Sequence, residues 1–363
     1  MHAYKISLPD NGQQLLVFYL AMEEYVAQHI DTLLPIGENG AREGFFLWQV
    51  PPTVIFGRNQ VMEAEVNLEY IHENHVHLFR RKSGGGCVYS DQGNIMLSYI
   101  TDHTDVSATF DVFLQEVASM LQSLGLDASR SGRNDILVGG KKVSGNSLFL
   151  LPHAGIVHGT LLYDTDFEAL VQAITPSSAK VSSKGVSSVR QHVTNVKDEL
   201  QKKGIDSDIG SFKDYILRYF CGGRPHFPEG GTGRRPDFPE GEMRELVLSP
   251  EDVRQIQEIE ATYLDPDFLK GRNHAYTLEF SGRIEQVGEV KLEIKMDSDY
   301  IEQCWLKGDI FPLQDKVDEA LTGRLKGCQL TEEAIGSALE GWPLEQFILH
   351  LHKEDLLKII FPG

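Results

Sequence analysis

Two short stretches of the chain concentrate the residues that could do chemistry. The first, RRKSGGGCVYSDQGN, runs from Arg80 to Asn94. Consecutive glycines let a backbone come close to a ligand, and successive uncovered N–H groups form a concavity that holds anions. The arginines that precede them carry a planar guanidinium that matches a carboxylate or a phosphate. The stretch predicts a cradle for an anion or a nucleotide, and a glycine-rich hairpin turn with solvated cations is the alternative.

The second stretch, NDILVGGKKVSGNSL, brings together an Asn-Asp pair, adjacent lysines and a Ser-Gly turn. Because successive side chains of a strand point to opposite faces, at most one of Lys141 and Lys142 can enter a site. A polar hairpin with a lysine on each face is the alternative. Further along, His158 stands in VHGT, inside an otherwise apolar strand, where a lone histidine is more often structural than catalytic.

Several familiar patterns are absent or weak. No Gly-Lys-Ser/Thr follows the glycines at P-loop spacing, and no G-x-G-x-x-G follows a first strand. The stretch IHENHVH offers His72, His75 and His77, but their spacing is not that of H-E-x-x-H, so a metal site is a minor alternative. The segment SSAK has the S-x-x-K form of β-lactamases, but no K-T-G follows it.

The elements that must position these residues are predicted from hydrophobic periodicity. Helical spacing appears in QQLLVFYLAMEEYVAQHI and in DVFLQEVASMLQSLGL, where Asp111 is expected near the helix start and Gly125 at its end. GFFLWQVPPTVIF predicts a pair of short strands, and DILVGGKKVSGNSLFLLPHAGIVHGTLLY predicts strands joined by turns, the first a Gly-Gly turn. An antiparallel meander beside helices is typical of an α+β fold.

The sequence pattern changes from about Asp267. Apolar and polar residues alternate through HAYTLEFSGRIEQVGEVKLEIKMDSDYIEQCWLKGDIF, which predicts paired antiparallel strands, and helical patterns follow in LQDKVDEALTG and TEEAIGSALEG. Ahead of this module lies a Pro/Gly-rich segment in which RPHFPEG at Arg224–Gly230 recurs as RPDFPEG at Arg235–Gly241. Its composition predicts an exposed insertion.

The bulk composition narrows the class of protein. With 363 residues, of which 41% are hydrophobic and 24% charged, the chain is expected to form a soluble globular protein of two domains. A net charge of −19 disfavours binding to nucleic acid phosphates. The cysteines form no C-x-x-C pair, no apolar run approaches the roughly 20 residues of a membrane span, and no secretory signal is seen. We therefore expect a cytoplasmic protein with no nucleic-acid or membrane partner.

Taken together, the motifs resemble the lipoate–protein ligase A family, part of the biotin and lipoate ligase superfamily. The resemblance covers roughly residues 12–196 and continues more weakly through LKGDIF and DEALTG. It implies an α+β, biotin/lipoate ligase-like catalytic domain with mixed and antiparallel sheets over 1–264, including the insertion at about 221–242, and a small C-terminal α/β accessory domain over 265–363. The motifs that carry it, in the family's order and near its spacing, are FGRNQ, RRKSGGGCVYSDQGN, GRNDI, KKVSGNS, HGTLL and KGVSSVRQHVTNV.

The resemblance implies an ATP-dependent lipoate–protein ligase. The lipoate carboxylate would attack the α-phosphate of ATP and give lipoyl-AMP and pyrophosphate, and the ε-amine of an acceptor lysine would then displace AMP. A carboxylate that meets a phosphate suffers charge repulsion, which a fixed cation relieves. Mg²⁺ would be carried by the ATP phosphates, not by a metal site of the protein.

The resemblance also implies roles for individual residues. Lys142 matches the family's essential lysine and would bridge the lipoate carboxyl group and the α-phosphate. The residues that match the lipoate and lipoyl-AMP contacts are Arg81, Ser83, Gly84, Gly85, Gly86, Val88, His158 and Thr160. Those that match positions near the nucleotide and its Mg-phosphate are Asn94, Asn134 and Asp135. Candidates for an apolar tunnel around the acyl chain are Phe45, Phe46, Trp48 and Val88, although core packing accounts for each equally well.

The implied acceptors are lipoyl domains of 2-oxoacid dehydrogenase E2 subunits and the glycine-cleavage H protein, and a monomer is expected. The chain departs from the family in places. Ser90 stands where many members have His, ATYLDPDF lacks an expected Trp and Gly, and the duplicated insertion has no counterpart. The acceptor protein and the preference for lipoate or octanoate are left open by the sequence.

Other activities remain as alternatives. An octanoyl or lipoyl transferase of the same fold would carry the acyl group on a cysteine thiolate and would need no ATP. Cys87 lies next to Gly86, in the glycine stretch and not where the transferases place their cysteine, so we expect a packing residue there. A biotin ligase is disfavoured by the form of the glycine stretch and by HGT. A non-catalytic protein that binds lipoyl-adenylate or lipoyl domains is disfavoured by the presence of Lys142.

Overall fold

The computed structural model describes residues 3–10, 12–103, 105–132, 134–174, 192–222, 243–270 and 277–362. The chain packs into two compact units. Unit 1 comprises Met1–Ile55, Val66–Phe79 and Val88–Asp265, and unit 2 comprises Phe56–Glu65, Arg80–Cys87 and Pro266–Gly363. FGRNQ and most of the glycine stretch therefore pack with the C-terminal residues. The division into domains at 264/265 stays a prediction.

The main sheet of unit 1 has eight strands in the order β11-β1-β2-β6-β10-β9-β8-β7. Strand β1 runs parallel to both of its neighbours, and the other pairs are antiparallel. The sheet is mixed, as predicted. Its strands are β1 Tyr4–Ser7, β2 Glu43–Trp48, β6 Asn94–Thr101, β7 Ala128–Ser131, β8 Asp135–Val138, β9 Lys141–Leu151, β10 Ala154–Leu162 and β11 Glu245–Val247. A separate sheet has the order β4-β3-β5, with β3 Thr53–Phe56, β4 His77–Arg80 and β5 Val88–Ser90.

Helices lie between many of these strands along the first 265 residues of the chain. Their bounds are α1 Leu16–Gln28, α2 Ile30–Leu33, α3 Met62–Glu65, α4 Leu68–Glu73, α5 Val106–Gln122, α6 Phe167–Ile174, α7 Val196–Lys202, α8 Ile209–Leu217 and α9 Pro250–Tyr263, with a π-helical turn at Arg218–Gly222. The start of α5 differs from the prediction. The side chain of Asp105 accepts from Ala108 N and caps the helix, so Asp111 lies in the second turn and not at the start.

The two faces of the main sheet carry different helices. On one face, Phe45 stacks on Phe220 with ring centroids 4.5 Å apart, and Tyr99 stacks on Phe113 of α5. On the other face α1 packs, and its Tyr19 stacks on Trp48 at 4.9 Å. Phe45 therefore belongs to the core on the face opposite to Trp48, because neighbouring residues of a strand point to opposite faces.

The β8–β9 hairpin confirms the predicted Gly-Gly turn. Gly139 and Gly140 have φ of 56° and 79°, the left-handed conformation that a two-residue type I′ hairpin turn requires at both central positions. The pairing that follows is irregular. Leu137 pairs with Lys142, but Ile136 pairs with Ser144, so Val143 is an extra residue in β9 and forms a β-bulge.

Unit 2 has its own core. A three-stranded antiparallel sheet, β12-β13-β14, places apolar side chains such as Val290, Leu292 and Ile294 against helices. The alternating pattern predicted these strands, and β12 Leu278–Ile284, β13 Gly288–Asp297 and β14 Tyr300–Gly308 confirm it. The helices are α10 Pro266–Lys270, α11 Val317–Leu325, α12 Glu332–Ala338 and α13 Lys353–Ile360, with a 3₁₀ turn at Leu344–Gln346. Helices α10 and α13 were not predicted.

Candidate active site

One face of the main sheet brings together most of the predicted site residues of unit 1. Residues directly opposite each other in a ladder share a face. One row across the sheet runs Trp48, Met96, Thr160, Gly145 and Asp135. The row beside it runs Phe46, Ser98, His158 and Ser147. The strand pairing thus places an apolar segment and a polar segment on the face that α1 partly covers.

Lys142 is directed to this face. Its Nζ lies 2.8 Å from Asp135 Oδ1, with 38% and 31% of the respective side chains exposed. The contact is an ion pair by distance, although Oδ1 has no partner in hydrogen-bonding geometry among the described residues. The bulge at Val143 accounts for the direction of Lys142, because an extra residue re-aims the side chains beside it.

Gly145 makes room for the lysine. A Cβ at position 145 would lie 3.0 Å from Lys142 Nζ and 3.1 Å from its Cε. Any side chain there would press against the end of the lysine. The Ser-Gly turn predicted from the sequence is wrong, because Ser144 and Gly145 lie inside β9, and packing explains the glycine instead.

Lys141 serves a different neighbour. Burial raises the pKa of Glu199, but hydrogen bonds from Lys202 and Thr194 and the charges of Lys202 and Lys141 lower it further, to below its ordinary value. The charge of Lys141 thus acts near α7, whereas Lys142 pairs with Asp135. The two adjacent lysines thus have different neighbours, and the prediction that only Lys142 enters a site stays a prediction.

Asn134 and Asn94, which were predicted to lie near the nucleotide, make hydrogen bonds near the ends of strands. Asn134 Nδ2 donates to Asn146 O at 2.9 Å, and Asn146 Nδ2 donates back to Asn134 O at 2.9 Å. Asn94 is fully buried, and its Nδ2 donates to Tyr89 O at 3.2 Å. The Oδ1 of Asn94 makes no hydrogen bond among the described residues, so it is available as an acceptor.

His158 is part of a buried network that the sequence analysis did not find. Its Nδ1 lies 2.8 Å from Glu23 Oε2, and Glu23 is only 2% exposed. Ser98 donates to the other oxygen of Glu23 and accepts from Trp48 Nε1 at 2.8 Å. The available signal was a pair of adjacent glutamates in the apolar helix LAMEEYVAQ, since buried carboxylates need partners.

Thr160 and Ser90 are buried next to this network. Thr160 Oγ1 lies 3.4 Å from Gly145 N, a weak contact by distance. Ser90 is fully buried, and its Oγ lies 3.4 Å from Met96 Sδ. Met96, which the sequence analysis did not single out, therefore fills the space beside the residue that replaces the family's histidine.

The glycine stretch belongs to unit 2, where Arg81 shapes it. Arg81 is 5% exposed, and its guanidinium donates to Gly84 O at 2.7 Å and to Gly86 O at 2.8 Å. Burial lowers the pKa of Arg81 to about 10, an effect that charge on Cys87 opposes. The arginine that was predicted to meet an anion thus binds backbone carbonyl groups of its own loop.

The three glycines meet different demands. A Cβ on Gly84 would lie 2.0 Å from Ile310 O, and Gly85, with a φ of 86°, donates its N–H to the same oxygen at 3.1 Å. A Cβ on Gly57 would lie 2.1 Å from Gly85 O. By contrast, a Cβ on Gly86 would meet no atom of the described residues within 4 Å. Packing therefore explains Gly84 and Gly85, but it does not explain Gly86.

Arg80 organises the neighbouring FGRNQ turn. Its Nη1 donates to the carbonyl groups of Arg58 at 2.9 Å and Gln60 at 2.8 Å, and its Nε donates to Leu269 O at 3.0 Å. Its guanidinium also lies over the ring of Phe56 at 4.4 Å. Both arginines of the stretch are therefore used inside unit 2.

The remaining predicted residues are also placed. Ser83 is 2% exposed, and its carbonyl oxygen accepts from Arg58 N at 2.9 Å. Val88 is half-buried in β5 and pairs with Ile55. Most of KGVSSVRQHVTNV and the whole of the RPHFPEG and RPDFPEG repeats lie outside the described residues. The structure brings Lys142, Asp135, Asn134, Thr160 and His158 together in unit 1 and gathers Arg81, Ser83, Gly84, Gly85 and Gly86 in unit 2. Their roles in binding stay predictions.

In the described part of the chain, no group of three or more His, Cys, Asp or Glu side chains is arranged to hold a metal ion. None of the helices described is long and apolar enough to span a membrane.

Comparison with solved structures gives the fold class. LipL1 of P. falciparum, solved in complex with lipoate, superposes with a TM-score of 0.65 at 18% identity over 99% of this chain and 97% of that one. The bipartite lipoate protein ligase of Thermoplasma acidophilum, described with its E2 lipoyl domain, gives a TM-score of 0.59 at 24% identity over 77% of this chain and 100% of that one. The fold is that of lipoate–protein ligases, which confirms the predicted fold class.

Comparison of sequences gives the family. The lipoyl protein ligase A/B catalytic domain profile matches residues 16–221, and the profile of the bacterial lipoate protein ligase C-terminus matches 273–360. Lipoate-protein ligase LplJ of Bacillus subtilis is 32% identical over 94% of this chain and 96% of its own length. Lipoate–protein ligase 1 of Staphylococcus aureus is 33% identical over 94% and 95%. The chain belongs to the lipoate–protein ligase family, as predicted.

Proposed function

We propose that this chain activates lipoate with ATP and transfers the lipoyl group to a lysine of an acceptor protein. Membership of the ligase family makes the chain an enzyme that joins lipoate to protein. The observation that carries the mechanism is the position of Lys142 Nζ, which the β-bulge directs toward Asp135 and over Gly145.

The first half-reaction joins two anions. A carboxylate oxygen of lipoate forms a bond to the α-phosphorus of ATP, the bond from that phosphorus to the bridging oxygen breaks, and pyrophosphate leaves with its electron pair. The ammonium group of Lys142 would stand between carboxylate and phosphate and offset their repulsion. At about 4 Å a unit charge pair is worth roughly 4 kcal/mol at an effective dielectric constant near 20.

Asp135 supports this role before substrates arrive. It holds Nζ at 2.8 Å, and an ion pair that is about one-third exposed is weak enough to be exchanged for a substrate anion. Because Lys142 is already directed to the site face, little side-chain entropy remains to be lost when the substrate binds.

The glycine stretch is proposed to bind the lipoyl-adenylate through its backbone. Arg81 donates to the carbonyl groups of Gly84 and Gly86. These bonds make the loop rigid before a ligand binds. A Cβ at position 86 would meet no atom within 4 Å in the described part of the chain, and a residue without a Cβ permits the close approach of a phosphate or an acyl group.

Mg²⁺ is proposed to enter with ATP. Among the residues predicted to lie near the nucleotide, Asp135 offers a carboxylate and Asn94 offers a buried amide oxygen that has no hydrogen bond among the described residues. Oxygen donors of this kind fit Mg²⁺, which usually takes one or two carboxylates and completes its shell with phosphates and water. Asp135 would be the protein ligand, and the ion would supply charge neutralisation on the phosphates.

The acyl chain is proposed to lie along the apolar part of the site face. Trp48 and Met96 stand in the same row as Thr160 and Gly145, and stacking on Tyr19 fixes the plane of Trp48. In the second half-reaction the neutral amine of an acceptor lysine attacks the acyl carbon, the bond from that carbon to the AMP oxygen breaks, and AMP leaves with its electron pair. The nitrogen releases one proton to solvent as the amide forms.

We propose that the acceptors are lipoyl domains of 2-oxoacid dehydrogenase E2 subunits and the glycine-cleavage H protein, and that the enzyme acts in the cytoplasm as a monomer. The family, and the structure of the bipartite T. acidophilum ligase and its E2 lipoyl domain, support this choice. With a net charge of −19, the enzyme would depend on local patches to steer an acidic acceptor.

The transferase alternative is disfavoured by the cysteines. Burial raises the pKa of both Cys221 and Cys304 to about 12, so neither thiol ionises readily at neutral pH. The test of the proposal is pyrophosphate–ATP exchange by the purified chain with lipoate, followed by mass spectrometry for lipoyl-AMP. Lipoate-dependent exchange supports the ligase. Transfer from an acylated protein without ATP, and no exchange, would replace it by the transferase.

A further inference from the structure

We infer that Asn146 is a positioning residue that holds Lys142 in its reactive place. The inference rests on the role proposed above for Lys142. Asn146 is 3% exposed and stands in the middle of β9, where a buried amide is costly unless it is hydrogen-bonded.

The first observation is a reciprocal set of hydrogen bonds. Asn146 N and Nδ2 donate to Asn134 O at 3.0 and 2.9 Å, and Asn134 Nδ2 donates to Asn146 O at 2.9 Å. Asn146 Nδ2 also donates to Ser144 Oγ at 3.1 Å. Each of the two residues donates to the other, so these bonds tie Asn134, just ahead of β8, to Asn146 of β9.

The second observation is the location of this set relative to the bulge. Next to the hydrogen-bonded residues Asn134 and Asn146, the ladder pairs Asp135 with Gly145, and its register shifts between Ile136 and Leu137. A bulge can slip along a strand unless something fixes the register on one side. The bonds between Asn134 and Asn146 fix it, and with it the position of Asp135 and Gly145 beneath Lys142.

The third observation is the tight space around Lys142. Its Nζ lies 2.8 Å from Asp135 Oδ1, and only 3.0 Å separates it from the place of a Cβ on Gly145. A shift of residue 145 therefore moves both the carboxylate partner and the surface on which the ammonium group lies. Asn146, next in the chain, controls that shift.

The position of the Asn146 side chain also explains why HGT has a glycine, Gly159. A Cβ at position 159 would lie 1.9 Å from Asn146 Oδ1 and 2.8 Å from its Cγ. The side chain of Asn146 therefore occupies the space that Gly159 leaves. The motifs KKVSGNS and HGTLL are coupled through this contact, although they lie on different strands.

The test compares Asn146→Ala and Asn146→Ser with Asn67→Ala. The control also removes an asparagine that binds backbone, because Asn67 Oδ1 accepts from Tyr70 N at the start of α4, away from Lys142. For Asn146→Ala we expect kcat of lipoate-dependent pyrophosphate–ATP exchange to fall about 10- to 100-fold, with KM for lipoate and ATP changed less than about threefold, as misplacement of a reacting group predicts. Serine keeps one donor, and its loss should be smaller. Asn67→Ala should lower Tm and keep kcat.

A second measurement reports on the lysine itself. The rates at which acetic anhydride modifies Lys142 and Lys141 are measured by peptide mass spectrometry in the wild type and in Asn146→Ala. Release of Lys142 from Asp135 should speed its modification several-fold relative to Lys141. In Asn146→Ala, an unchanged kcat or unchanged labelling of Lys142 overturns the inference. A loss of kcat in Asn67→Ala at an equal drop in Tm also overturns it.

The variant Lys142→Ala separates the two proposals. If it keeps full exchange activity, the proposed role of the lysine fails, and this inference fails with it. If Lys142→Ala is inactive while Asn146→Ala keeps the kcat of the wild type, only the positioning role of Asn146 is wrong.

Discussion

His158 Nδ1 lies 2.8 Å from Glu23 Oε2, and this buried contact joins α1, which carries Glu23, to strand β10, which carries His158. The other oxygen of Glu23 accepts from Ser98, which in turn binds Trp48. One carboxylate thus fixes a histidine, a serine and an indole on the sheet face that carries Asp135 and Gly145. Since a buried carboxylate is tolerated only with partners, these groups depend on each other.

Removal of Glu23 should damage both folding and lipoate binding. Glu23→Ala leaves His158 and Ser98 without their partner, and we expect the free energy of unfolding to fall by about 3–5 kcal/mol, as for other buried pairs that lose one member. Glu23→Gln keeps a hydrogen-bonding group and should lose less. Urea denaturation measures the stability. The KM for lipoate should rise because Ser98, which accepts from Trp48, loses its own partner Glu23. Glu38→Ala, whose side chain is 92% exposed, is the control and should change stability by no more than about 0.5 kcal/mol.

Lys142 and Lys141 should respond very differently to truncation. Loss of an interaction worth roughly 4 kcal/mol in the transition state corresponds to about a 1000-fold fall in rate. We therefore expect Lys142→Ala to abolish formation of lipoyl-AMP, measured by mass spectrometry after mixing with lipoate and ATP. Lys141, whose charge acts near Glu199, should be replaceable by alanine with little effect. Equal activity in the two variants would show that the wrong lysine was assigned.

The elements with a simple period were predictable from the sequence. Strands β8, β9 and β10 and the Gly-Gly turn follow from alternation and from the left-handed φ that Gly139 and Gly140 adopt. The start of α5 was misplaced because Asp105, which caps the helix, precedes a stretch with no clear helical pattern. Helix α13 was missed because its short pattern lies at the end of the chain.

The parts of the site that depend on distant pairs were not predictable. Glu23 and His158 are 135 positions apart in sequence. The adjacent glutamates of an apolar helix indicate a buried carboxylate, but nothing local identifies its partner. Likewise, the packing of Gly84 and Gly85 against Ile310 cannot be inferred from a run of glycines. That run is equally consistent with a turn, a ligand cradle or a close backbone contact.

Because Asp208 caps α8, the stability of the protein should depend on pH in the acid range. Asp208 accepts from Ser211 N at 2.9 Å and from Ser211 Oγ at 2.7 Å, and these bonds hold its pKa below the ordinary 3.8. A carboxylate with a depressed pKa stabilises the fold above its unfolded pKa, and this contribution is lost as the pH falls through the folded value. Asp208→Ala should therefore lower Tm at pH 7, and the difference from wild type should shrink below about pH 4. A difference in Tm that is constant from pH 7 to pH 3 would show that the charge of Asp208 contributes nothing to the cap.

The glycines of the RRKSGGG stretch should separate into structural and ligand-facing positions. In Gly84→Ala the new Cβ meets the carbonyl of Ile310, so the backbone must shift, and we expect a loss of about 1–3 kcal/mol in the free energy of unfolding, typical of overpacking. In Gly86→Ala the Cβ meets no atom of the described residues within 4 Å, so Tm should stay near that of the wild type. If the backbone of Gly86 approaches the adenylate, however, the added methyl group should raise KM for ATP or lipoate or slow exchange. Thermal unfolding and pyrophosphate exchange are measured on both variants. If Gly86→Ala has wild-type kinetics, Gly86 faces solvent and the loop binds its ligand elsewhere.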